Sequence, residues 1–142
     1  MYQKDYILRI IEMLGELILA IFSYIKKGNY QEASRILNDA YLNLLKQEAS
    51  FFHKLDINEM TRILIKEHNY TNGHLEVLAE LFYAEAELRF HKNEKAGSLI
   101  FYQKALKLFD FIEKENKTFS LEKLAKIERI KSRIEVCKDE KN

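Results

Sequence analysis

Apolar residues recur at three- and four-residue intervals between Asp5 and Lys27, at Tyr6, Ile7, Ile10, Ile11, Leu14, Leu17, Ile18, Ile21 and Ile25. That period lays them along one face of a long first helix. Leu8, Met13, Leu19 and Phe22 occupy its other side. The helix is therefore apolar on more than one face and is predicted to be sandwiched between neighbours or to cover a subunit interface. Gly28 ends it, and Asn29 followed by Glu32 forms a capping-box-like start for a second helix, with Ala33, Ile36, Leu37, Ala40, Tyr41 and Leu44 as the facing stripe. So short a connection predicts an antiparallel helical hairpin over 5–46.

Between Gln47 and Leu55 the periodicity is poor, and Phe51 and Phe52 are its candidate anchors. Asp56 with Glu59 predicts a cap for a short connecting helix over 56–68, which carries Met60, Ile63 and Leu64. Asn69 to Gly73 has the composition of a loop. A second hairpin is predicted over 74–115: one helix with Leu75, Leu78, Leu81, Phe82 and Ala86, a polar turn at Lys92 to Glu94, and a partner from Lys95. Ser120 opens a last helix over 120–137, whose stripe of Leu121, Leu124, Ile127, Ile130 and Ile134 predicts a lid on the preceding pair.

Composition agrees with an all-α fold. Proline is absent and glycine occurs four times, which disfavours a β-fold with its frequent turns. A length of 142 residues predicts a single helical domain over 1–142. The net charge of +1 provides no general field to gather nucleic acid or a membrane surface, so neither is expected as a partner. Arg9, Glu12 and Glu16 interrupt the apolar N-terminal run, and the uncharged stretch from Leu17 to Ile25 is shorter than the ~20 residues that cross a bilayer. Cys137 is the one cysteine, which fits a reducing compartment and a cytoplasmic protein.

Within the string YIKKGNYQEASRILNDA, the residues Tyr24, Gly28, Tyr30, Ala33 and Ala40 resemble the tetratricopeptide repeat. FYQKALKL, with Ala105 in the small position and Tyr102 in the large one, looks like that repeat's second helix. Ile21 replaces the usual small residue, Arg89 stands where an aromatic is usual, and no proline closes either repeat. The resemblance implies antiparallel hairpins wound into a right-handed α-α superhelix with a C-terminal capping helix. It implies a groove lined by Phe22 and Lys26 on the first helix and by Glu80, Tyr83, Glu87 and His91 on the fourth. The opening DYILRIIEMLGELI is also similar to that of short bacterial helical-repeat proteins, which implies no activity.

Candidate chemistry is sparse. His53, His68, His74 and His91 lack the spacing of metal-ligand motifs and are expected on the surface or in loops. Glu76, Glu80, Glu85 and Glu87 are expected on solvated faces, as is the basic stripe Lys123, Lys126, Arg129 and Arg133. Cys137 continues the apolar stripe of the last helix and is expected to be a packing residue. No catalytic residue, metal or cofactor is expected. The predicted role is a non-catalytic module that binds a protein or peptide segment, or its own copy as a homodimer through the first helix, with a peptide- or small-ligand-binding sensor as the alternative.

Overall fold

The computed structural model describes residues 2–116 and 120–139. Seven helices make up the described chain, which contains no strand: α1 (Tyr2–Lys26), α2 (Tyr30–Leu45), α3 (Ala49–His53), α4 (Met60–Arg62), α5 (Asn72–His91), α6 (Lys95–Asn116) and α7 (Leu121–Asp139). The predicted domain over 1–142 includes residue 1, 117–119 and 140–142, which lie outside the described residues. Among the described residues no helix is long and apolar enough to cross a membrane.

Gly28 ends α1 at a φ of 79°, a left-handed conformation that costs glycine nothing. Asn29 then accepts the Glu32 amide at 3.3 Å and starts α2. The cap expected at Asp56 takes a different form. Its carboxylate accepts the amide of Asn58 at 2.7 Å, a turn contact, while the side chain of Glu59 receives Arg62 instead. Helix α4 widens into a π-turn over Ile63–Glu67, which closes where Tyr70 N–H reaches the Leu64 carbonyl at 3.0 Å. The expected loop at 69–73 is shorter than its composition suggests, because Thr71 and His74 cap each other and α5 begins at Asn72.

Helix α5 is the centre of the molecule. It packs against α1, α2 and α6, and Leu75 together with every residue from Val77 to Leu88 except Glu80 is buried. A helix enclosed on most sides has no single apolar stripe, and α5 accordingly places Glu85 and Glu87 in the interior beside its leucines. At Gly73 the approach of α1 is so close that a Cβ would collide with the Ile7 side chain. Ala33 and Ala105, the small residues of the resemblance, are fully buried in α2 and α6.

Helix α3 fills the stretch whose periodicity was poor, and Phe52 anchors it by stacking on Tyr41 with ring centroids 5.5 Å apart. On α7, Ile127, Ile130, Ile134 and Cys137 are buried, but Leu121 is 73% exposed and Leu124 40%. The expected stripe thus packs only from its second turn onward.

Candidate functional site

Two buried carboxylates on α5 organise the polar interior, and they face different neighbours. Glu85 lies on the side of α2 and α3: Tyr41 O–H donates to its Oε1 at 3.3 Å, His53 Nε2 stands 2.9 Å from the same atom, and Arg89 Nε donates to Oε2 at 3.1 Å. Burial works to raise the Glu85 pKa, but hydrogen bonding and charge from His53 and Arg89 outweigh it and hold the carboxyl below its ordinary range. Tyr41, fully buried and facing that anion, has its phenol pushed well up by desolvation first and by Glu85 second. The Lys104 ammonium closes the cluster on the backbone of α3, donating to the His53 carbonyl at 3.0 Å, with its pKa lowered by desolvation.

Glu87 points toward α6 and α7. Tyr102 O–H donates to it in a short hydrogen bond, and Arg133 Nε donates to Oε2 at 3.1 Å. It is the last member of a series that joins α5 to α7: Glu76 to Lys123 at 2.7 Å, Glu80 to Lys126 at 2.5 Å, Glu87 to Arg133 at 3.1 Å. Position numbers rise together along both helices, so α7 runs parallel to α5, as an element lying beyond the antiparallel return of α6 must. Nearby, Cys137 is buried with its sulfur 4.0 Å from Ser98 Oγ, which itself donates to the Ala86 carbonyl at 2.9 Å.

The expected groove residues divide accordingly. Phe22 and Tyr83 do meet, edge to face at 5.9 Å. Tyr83 is buried, with its phenol pushed up to about 12, chiefly by desolvation. Glu80 and Glu87 are spent on holding α7, while Lys26 and His91 are exposed, the latter with Nδ1 at 2.9 Å from the Glu87 carbonyl oxygen. What stays open over Tyr83 is a cleft of about 430 Å³ edged by Glu122, Ala125, Lys126 and Arg129.

Three expectations are corrected. Glu85 and Glu87 are interior residues, where a solvated face was expected: Glu85 gains Tyr41 and His53 from other elements beside Arg89 of its own helix, and Glu87 gains Tyr102 and Arg133 from α6 and α7. The basic stripe of α7 is likewise an inter-helix tie at Lys123, Lys126 and Arg133. His53 sits in a short helix and is only 26% exposed at its side chain, tied to Glu85. A signal for the tie exists in the chain: acids on α5 at intervals of four and seven, bases on α7 at three and seven. Nothing in the local pattern marks Tyr41, His53 and Tyr102 as their companions.

Among the described residues no group of three or more His, Cys, Asp or Glu is placed to hold a metal ion. No family model matches the chain, and no curated protein or solved structure matches it.

Exposed apolar residues lie on several helices, α1 among them. On α1, Leu8 is 51% exposed and Leu19 72%. At about 3.6 residues per turn these two and Gly15 fall within roughly 40° of one another around the helix axis. Around Gly15 nothing stands within 4 Å of where a Cβ would be, which leaves a shallow notch midway along the helix, flanked by half-buried Ile11 and Ile18.

Proposed function

We propose that the chain is a non-catalytic interaction module, tetratricopeptide-like in its two hairpins and capping helix, that associates with its own copy through α1. The observation that carries this reading is the outward apolar line of Leu8, Gly15 and Leu19. Exposed leucines of this size aligned along one helix are a docking face more than a scatter of surface residues. A two-fold pairing places the same line on both partners, with the notch at Gly15 letting the backbones approach. Charge favours the antiparallel orientation. Residues 2–16 carry Asp5, Glu12 and Glu16 against Lys4 and Arg9, a net −1, and residues 17–27 carry Lys26 and Lys27, a net +2.

The full burial of Ala33 and Ala105 supports the repeat-like reading, since small residues at those positions let paired helices approach closely. The non-catalytic reading is supported by Glu85 and Glu87, the carboxylates closest to an acid–base pair, each of which is engaged by partners within the fold. The single buried thiol of Cys137 suits a cytoplasmic setting. A second reading, a peptide or small ligand held over Tyr83, is favoured by the 430 Å³ cleft on that residue.

Sedimentation equilibrium separates the two. Self-association predicts a concentration-dependent mass of twice the 16.9 kDa chain. Leu19→Glu should then give a monomer with unchanged helix content, because the residue is largely exposed within the subunit. A monomer at all concentrations, or a dimer indifferent to that substitution, removes the α1 reading and leaves the cleft over Tyr83.

A further inference from the structure

A second surface, on a different helix from the α1 line, has the shape and charge of a docking site. Between the connector that leads into α4 and the outer side of α6 lies a cleft of about 640 Å³. Its apolar part is made by Ile57, Leu106 and Phe111, all half-buried, and Lys107 and Lys114 stand exposed along its α6 edge with Asp110 between them. Neither lysine is in an ion pair among the described residues, in contrast to those of α7, three of whose basic residues are taken up by α5. Seven residues of helix separate the two ammonium groups, or about 10 Å along the axis.

We propose that this cleft docks a short acidic segment of another protein, one that seats an aliphatic or aromatic side chain against Leu106 and Phe111 and sets carboxylates near Lys107 and Lys114. Charge complementarity selects that occupant. The edge carries two cations and one anion, so it attracts a segment with separated carboxylates, while Asp110 repels a continuous phosphodiester chain. The apolar floor supplies the contact area, and the charges set orientation and register. A segment in helical form would carry its two carboxylates at positions i and i+7, with the apolar anchor between them.

The test is selection of a phage-displayed random dodecapeptide library on the full chain. The enriched peptides are then measured by fluorescence anisotropy against the wild type and a Lys107→Glu/Lys114→Glu variant. Enrichment of sequences with Asp or Glu flanking an apolar residue is expected, with affinity at least tenfold weaker for the variant. The same peptides with their acids changed to lysine should bind the variant better than the wild type. Both lysines are exposed, so matching circular-dichroism melts will show that the variant is folded. Failure to enrich any peptide, enrichment without acids, binding indifferent to the double substitution, or tighter binding of a single-stranded oligonucleotide would each overturn the proposal. The α1 reading is untouched by any of these, since its readout is the mass of the particle.

Discussion

Glu85 is buried in a protein whose other carboxylates mostly reach water, and its neighbours explain why it stays ionised. A buried anion is tolerated when its lone pairs are matched, and here a tyrosine, a histidine and an arginine converge on its two oxygens. Its folded pKa is depressed below the ordinary 4.5, so the stability it contributes is complete above that value and is lost as pH falls through the lower folded pKa. Glu85→Gln should cost about 1–3 kcal/mol near neutral pH, by leaving Arg89 and His53 without their anion. Urea midpoints taken from pH 6 to pH 3 should show this difference between wild type and variant shrinking as the solution is acidified. A constant difference would mean that Glu85 does not titrate with folding.

At the scale of elements, α7 is held by an apolar seam on one side and by three ion pairs on the other, and those pairs are unequal. Lys126 and Glu80 are 30% and 17% exposed at their side chains and Arg133 and Glu87 25% and 10%, and Glu87, the most buried of the four, also accepts the Tyr102 hydroxyl. Removing one partner of a well-buried pair strands a charge, and removing one of a solvated pair costs little. Arg133→Met should therefore destabilise by about 2–3 kcal/mol and Lys126→Met by less than about 1 kcal/mol, as read from chemical denaturation. Equal losses would show that the pairs act by packing alone. The chain carries complementary spacings on the two helices, but each row by itself read as a solvated face, because α7 had first to be laid parallel to α5 and against both α5 and α6.

For the whole molecule, α5 is in contact with α1, α2 and α6 and ion-paired to α7, so neither half of the chain keeps its core when the other leaves. A single cooperative unfolding transition follows. The chain has eight tyrosines and no tryptophan, and ellipticity at 222 nm and tyrosine fluorescence should give coincident denaturation curves. Separate midpoints would divide the domain into two units and contradict the role given to α5.

What the chain determined by itself is local. The three- and four-residue recurrence of apolar positions, the glycine at the first turn and the caps at Asn29 and Ser120 are written in neighbouring residues, because helix periodicity and capping act over one or two turns. The excess apolar surface of α1 was legible for the same reason. Only the tertiary structure decided which charges are interior. Tyr41, His53 and Glu85 are far apart in sequence, as are Glu87, Tyr102 and Arg133, and a carboxylate that looks like any helical glutamate becomes a core residue once distant elements deliver its partners. Burial and hydrogen-bond satisfaction belong to the packed arrangement, and no window along the chain contains them.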